Sequence, residues 1–273
     1  MAENEALRTR NQANQAPADL EYLTAGAQRL GLHLTPEQLQ QFLRFRVLLL
    51  EWNERVNLTA ITDPQDILLK HFLDSLTCLL AIPQWQARKE GEQAEKAERE
   101  GKAEALQLLD VGSGGGFPGI PLALACPAWE VTLLEATGKK VRFLEEAIRQ
   151  LELRHVAALQ GRAEEVAHDA RHRAHYDLVT ARGLASLPIL LEYCLPFCRP
   201  GGLVIAQKKG EISAEIESGK RAAEALGGRL HSAQPIALPG LEDQRVLVVF
   251  EATQKTPALY PRRAGAPAKH PLG

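Results

Sequence analysis

The sequence predicts an α/β fold: a mostly parallel sheet covered on both faces, preceded by a helical region and closed by an antiparallel strand pair. Three observations carry this expectation. From Leu106 onward, short apolar runs alternate with amphipathic stretches, the pattern of a sheet wrapped by helices. The last two runs, near 229–236 and 244–251, are joined by a short turn at Pro239 and Gly240 that leaves no room for a crossover helix. Before Leu106 the apolar residues recur at helical spacing instead.

Composition bounds the rest. The 273 residues are 45% hydrophobic and 24% charged, with a formal net charge of −2, which excludes global disorder and collagen-like or coiled-coil chains. No apolar run approaches the ~18 residues of a membrane span, and the first 20 residues lack the apolar core of a secretory signal. A cytoplasmic protein with no membrane contact is expected. Cys78, Cys126, Cys194 and Cys198 show neither CxxC nor zinc spacing and read as small buried hydrophobes, so neither disulfides nor a metal are expected. From Ala252 onward there are four basic side chains and no acid, which hints at a polyanionic partner.

Taken in order, residues 1–16 are polar and expected to fray. A first helix carries Leu20, Leu23, Ala27 and Leu30 on one face, with Asp19 placed to cap it and Gly31 to end it. The second opens on Thr35, Pro36, Glu37 and Gln38, a capping box with proline at the first helical position, and aligns Leu39, Phe42, Leu43 and Leu50. The third opens at Asp63 and Pro64 and turns Ile67, Leu68, Phe72 and Leu76 inward. Residues 86–105 hold five basic and six acidic side chains with no large apolar one and read as a solvated helix or linker. The division is therefore a helical region over 1–84, a charged insert over 85–105, and an α/β domain over 106–273 with a basic tail at 252–273. Strands are expected near 107–111, 130–135, 155–159, 176–181 and 202–207, and then the final pair.

The informative stretch is LLDVGSGGGFPG, residues 108–119, where a strand runs into Gly112, Gly114 and Gly116 and then into a helix. Glycines let the backbone take positive φ and approach a ligand closely. Gly114, Gly116 and Gly119 also fit GxGxxG, which taken alone would suggest NAD and an oxidoreductase. Asp110 before the glycines, Glu135 at the end of the second strand and the antiparallel closing pair fit S-adenosylmethionine better, since an NAD enzyme needs a second mononucleotide-binding half after residue 180. Glu135 then accepts hydrogen bonds from ribose hydroxyls. Glu164, in the acidic first turn after the third strand, is placed for an adenine amino group, and the Ala163 backbone for the ring edge. Arg182 ends the fourth strand at the edge where ligands sit, and reads equally as a clamp or as a structural ion pair.

Missing motifs narrow the acceptor. Neither an Asn/Asp-Pro-Pro-aromatic run nor a Pro-Cys nucleophile occurs, so the acceptor needs little activation. Guanine N7, with a free lone pair at neutral pH, is such an acceptor and requires alignment more than a base. His168, His172 and His175 read as a solvated helix face.

Spread along the chain are blocks that resemble the RsmG (GidB) family of 16S ribosomal RNA guanine-N7 methyltransferases: Trp52, Asn53, Asn57 to Ile61; His71 to Leu76; LLDVGSGGGFPGIPLA; LLEATGKKVRFLEE; GRAEE; TARGLASL; and TQKTPALYPRRAGAPAKHPL. The resemblance implies a class I methyltransferase fold, S-adenosylmethionine as donor and 16S rRNA or the small subunit as partner. It places cofactor contacts on Gly112, Phe117, Glu135, Ala136, Thr137, Ala163, Glu164 and Arg182. It places Lys209 with Arg182 beside the acceptor base, although Lys208 stands where the family usually has an apolar residue. It gives the tail a role, with Arg262, Arg263 and Lys269 along the RNA backbone and Tyr260 stacking on a base. His71, Asp74 and Ser75 share one helical face that could meet the RNA or the cofactor cleft, while Asn57 and Thr59 read equally as loop ties. A noncatalytic RNA-binding assembly factor remains the alternative, and a monomer is favoured.

Overall fold

The computed structural model describes residues 17–83, Trp85 and residues 105–273. The expected frayed start at 1–16 and nearly all of the charged stretch at 86–105 lie outside the described residues. Seven strands, β1 (Gln107–Val111), β2 (Glu130–Glu135), β3 (Val156–Gln160), β4 (Tyr176–Arg182), β5 (Cys198–Lys209), β6 (Gly228–Ile236) and β7 (Arg245–Ala252), make one sheet. The order is β3-β2-β1-β4-β5-β7-β6. The first five strands are parallel, and β7 runs antiparallel to both neighbours, as the short Pro239–Gly240 turn requires. Strand β5 is longer than the expected 202–207, because its first residues still pair with β4 through a register shift between Tyr176 and Leu178.

Before the sheet, α1 occupies residues 17–29. Gly31 ends it at φ 74°. Helix α2 (Pro36–Asn53) forms the expected capping box, with the Thr35 amide donating to Gln38 Oε1 at 2.7 Å and the Gln38 amide to Thr35 Oγ1 at 3.3 Å. Its buried stripe includes Phe45 and Leu49, while Leu50, expected inside, is only half-buried. Helix α3 is composite: an α-turn at Pro64–Ile67 capped by Asp63, a π-helical stretch at Leu68–Leu73, an α-turn at Asp74–Leu76 and a 3₁₀ end at Thr77–Ala81. The π stretch leaves no mark in the apolar pattern, since Ile67, Leu68, Phe72 and Leu76 are all buried either way.

Asp19 requires a correction. Helix α1 is already under way at residue 17, so Asp19 does not cap it. Its fully buried carboxylate instead meets Arg46 of α2 at 2.6 Å and the Gln65 side chain of α3. Among three packed helices, a guanidinium partner satisfies the carboxylate better than helix amides would.

Helices α4 (Gly119–Ala125), α5 (Gly138–Gln150), α6 (Ala163–Val166), α7 (Leu187–Cys194) and α8 (Ser213–Leu226) follow β1 to β5 in turn, with a short α9 (Ala266–Lys269) in the tail. Alternation along each strand sends Leu108, Leu133 and Ile205 into one core with the N-terminal helices, α4 and α5, and Leu109, Leu134 and Val204 into a second with α7 and α8. A chain of rings joins the first core to the glycine loop: Phe42 and Phe45 contact Phe72 at 5.2 and 5.5 Å, and Phe45 contacts Phe117 at 5.3 Å. The helical region and the sheet therefore share one apolar interior.

Candidate active site

At the carboxyl ends of β1 and β2 the glycine loop folds back on itself. The Gly112 and Ser113 amides donate to Leu134 O, and those of Gly116 and Phe117 to Ser113 O. Gly114 N donates to Glu135 Oε2 at 3.0 Å and Gly119 N to Asp110 Oδ2 at 3.1 Å. Gly112 sits at φ 74°, and a Cβ there would lie 2.7 Å from the Leu184 side chain, so only glycine fits beneath the loop that follows β4. Asp110 is fully buried beneath the loop and also accepts from Thr180 Oγ1 at 3.1 Å. Burial pushes its carboxyl up to about 6, against the hydrogen bonds from Gly119, Ser113 and Thr180. It is a pin under the loop. Glu135 faces the loop, accepting from Gly114 N and, at 2.7 Å, from Thr137 N, while Ala136 and Thr137 are exposed beside it.

Arg182 leaves β4 and is grasped by the composite helix α3. Its Nη1 donates to Asp74 Oδ2 at 3.1 Å and lies 3.4 Å from Lys70 O, its Nη2 lies 3.1 Å from His71 Nδ1, and its guanidinium stands 4.9 Å above the Phe117 ring. His71 stacks on the same ring at 4.3 Å, and its Nε2 lies 2.7 Å from Thr59 Oγ1. Burial, and then the charge of Arg182, hold His71 down to about 3. A neutral ring that accepts from Arg182 at Nδ1 carries its proton on Nε2 and gives it to Thr59. Asp74, buried between Arg182 and Arg245, is raised by burial and held down by both arginines. His71 and Asp74 therefore line the cleft, while Ser75 is buried and donates to His71 O. Thr59 both meets His71 and ties the loop by accepting from Ile61 N at 3.0 Å, and Asn53 Oδ1 accepts from Leu58 N and Thr59 N.

Beside Arg182 opens a cleft of about 420 Å³ lined by His71, Asp74, Gln207, Lys208, Lys209 and Arg245 among others. Its charges are nearly all paired: Lys70 with Asp66 at 2.7 Å, Lys208 with Glu215 at 2.6 Å, and Arg245 with Asp74 and Asp243 at 3.4 and 3.3 Å. Lys208 also donates to Ala185 O at 2.9 Å, so it fastens the loop after β4. Lys209 is exposed and, among the described residues, is the cleft cation without a carboxylate partner. Gln207 donates from Nε2 to Asp74 O and Thr77 Oγ1 and leaves its buried Oε1 without a partner. Gln207 and Arg245 were missed in the sequence; Arg245 is the register partner of Lys209 on β7, a pairing invisible until the sheet is assembled.

On the face of the sheet covered by α7 the tail is held by contacts of its own. Arg262 gives three bonds to fully buried Glu192 of α7, from its amide, Nε and Nη2 at 2.8, 2.8 and 2.6 Å, and a fourth to His270 O at 2.7 Å. It is therefore not free for phosphate, because a buried carboxylate requires it. Tyr260 is half-buried against the second core, and Arg173 holds the carbonyls of Thr256, Pro257 and Tyr260 at 2.9 to 3.0 Å. Glu164 turns toward this tail and accepts from Gly265 N at 3.1 Å. Arg263 and Lys269 are exposed. The expected face histidines lie outside any helix, His168 and His172 in turns and His175 just before β4: His168 Nε2 is 2.9 Å from Pro261 O, and His172 Nδ1 is 2.8 Å from Tyr176 OH.

Comparison with known proteins identifies the family. The family model described as rRNA small subunit methyltransferase G matches residues 38–90 and 92–244. The chain is 41% identical to the protein of that name from Alkaliphilus metalliredigens over 92% of its own length and 97% of the relative's. Identity is 44% with the Roseiflexus sp. (strain RS-1) protein of the same name, over 93% of this chain and all of that one. It is 45% with the one from Dehalococcoides mccartyi (strain CBDB1), over 92% and 98%. The chain belongs to the small-subunit ribosomal RNA methyltransferase G family. The expectation of an oxidoreductase is set aside with it. In this member of the methyltransferase G family, the loop, Glu135 and the Arg182 cleft lie along one carboxyl edge of the sheet, where open α/β folds bind their ligands. Among the described residues, no helix is long and apolar enough to cross a membrane.

Proposed function

We propose that this chain transfers the methyl group of S-adenosylmethionine to N7 of a guanosine in 16S rRNA. The observation that carries the reading is the internal satisfaction of the glycine loop. The amides of Gly112, Ser113, Gly114, Gly116, Phe117 and Gly119 already donate to groups of the chain itself. A dinucleotide's diphosphate, which needs free loop and helix amides, would find few there and would meet the Glu135 carboxylate. A ligand with a cationic centre and a ribose diol suits the same surroundings, because Glu135 is an acceptor-only group once ionised.

S-adenosylmethionine, when bound, supplies an electrophilic methyl group on a positively charged sulfur. Gly112 and Phe117 would wall its site, Glu135 would accept from the ribose, and Ala136, Thr137 and Ala163 would border it. Glu164 would border it too, its carboxylate accepting from Gly265 N and keeping acceptor capacity for the adenine amino group. Arg182 and Lys209 would position the acceptor, with Lys209 the free donor for the guanine O6 or a phosphate. The acceptor nitrogen needs no proton removed, which suits a cleft whose His71 is neutral and whose Asp74 is tied to two arginines. The test is transfer of label from S-adenosylmethionine to 16S rRNA and small subunits lacking the modification, followed by chain cleavage at 7-methylguanosine. A single strong stop is expected. Saturable donor binding without incorporation would leave the assembly-factor reading standing instead.

A further inference from the structure

Helix α5 buries Val141, Phe143, Leu144 and Ala147, which leaves Lys139 and Arg142 exposed and Lys140 half-exposed at its beginning. Among the described residues, none of these three cations has a carboxylate within ion-pair distance. Of the two acids one turn further on, Glu146 is taken by Arg149 at 2.6 Å and Gln150 at 2.9 Å, and exposed Glu145 makes no ion pair with Arg142. Cations in the first turn oppose the helix dipole, and Lys139 and Arg142, three residues apart, repel one another. Helix stability therefore does not account for them.

Their neighbours extend the pattern. A Cβ on Gly138 would lie 3.2 Å from the Gln160 side chain, so the start of α5 abuts the end of β3, just before exposed Arg162. These four cations stand on the same carboxyl edge of the sheet as the Arg182 cleft. Strand β2 is three places from β5 in the sheet order, roughly 14 Å at about 4.8 Å per strand. The exposed large apolar residues of the described chain are Tyr22, Val47 and Leu259, none of them on α5. A protein partner would find no apolar centre there, whereas a phosphate backbone needs only the charges.

We propose that Lys139, Lys140, Arg142 and Arg162 form the phosphate track for the RNA strand flanking the acceptor guanosine. The proposal rests on the rRNA methyltransferase reading, and it moves the electrostatic grip from the tail, where Arg262 is engaged, to α5. The test uses the full chain with Lys139→Ala, Lys140→Ala and Arg142→Ala combined, beside a Lys139→Arg, Lys140→Arg control, each checked for wild-type thermal unfolding. RNA affinity is measured across a salt series and donor affinity by calorimetry. The salt slope of the neutralised variant should fall by about 2, from three contacts at about 0.7 each on single-stranded RNA, with donor affinity unchanged and the arginine control like wild type. A wild-type slope in the neutralised variant would overturn the track. A parallel loss of donor affinity would overturn it too, by assigning these cations to the donor site. Wild-type protein that neither binds nor methylates 16S rRNA would overturn the functional reading itself, and the track with it.

Discussion

Arg182 and Arg262 are chemically the same arrangement put to different use. Each meets a carboxylate with almost no exposure, Asp74 in one case and Glu192 in the other. Glu192 takes three bonds from one arginine, which gives a fourth to His270 O, so the pair is a fastening for the tail. Asp74 is shared between Arg182 and Arg245, and its arginine also touches a histidine, a carbonyl and an aromatic ring on the wall of an open cleft. A basic residue in a basic segment is not thereby an RNA contact; what matters is whether its charge is already matched by a buried acid.

The sharpest way to break this comparison is to remove each arginine. Arg182→Ala should lower kcat/KM for methyl transfer by about 100- to 1,000-fold, near 3–4 kcal/mol of transition-state stabilisation, while steady-state kinetics on folded protein show RNA salt sensitivity little changed. An activity within tenfold of wild type would reduce Arg182 to a structural pair. Arg262→Ala should behave oppositely. Leaving Glu192 buried without its partner should destabilise the fold by about 2–3 kcal/mol in denaturant unfolding, the usual range for a broken buried pair being discounted for the partial exposure of Arg262. Its salt slope on RNA should match wild type, and a reduced slope would restore the tail to the RNA.

How much of this was legible depends on sequence distance. The Thr35–Gln38 box, the Asp63 cap and the glycine loop are local, and each was readable from residues a few positions apart. The Glu192–Arg262 bond spans 70 residues, and Asp74 is met from β4 and β7, 108 and more residues away. No periodicity encodes such pairs. The same limit explains Asp19, whose position before an apolar stripe resembled a cap, although its partner Arg46 lies 27 residues further along.

A smaller effect sharpens the cleft side. Lys209→Met should reduce kcat/KM about tenfold with stability unchanged, whereas Lys208→Met should release the loop after β4 and lower thermal stability first. Reversed outcomes would exchange the two lysines. The weakest effect at neutral pH concerns His71. Below pH 6.5 the unfolded chain takes up a proton that the folded chain refuses until about pH 3, so this group makes stability fall as pH drops through that interval. Asp110 acts with the opposite sign: its folded carboxyl holds a proton up to about pH 6, so its contribution is lost as pH rises toward that value. His71→Gln should therefore flatten the acid-side decline in unfolding free energy and leave the value at pH 7.5 nearly unaltered. An acid decline as steep as wild type would place the burial of His71 in doubt.

The fastening of the tail also bears on the order in which the molecule is made. Glu192 and Glu164 belong to the body of the fold, but their partners at Arg262 and Gly265 are polymerised about 70 and 100 positions later. Domains gather as the ribosome delivers them, amino end first. Until residue 262 is in place Glu192 lies in an apolar wall without a counterion, and a product stopped short of it keeps that defect. Such a fragment would spend more time open to the proteases that survey nascent proteins. The seam thus closes only in a chain that has passed residue 262, so the stability of the body depends on a segment built after it.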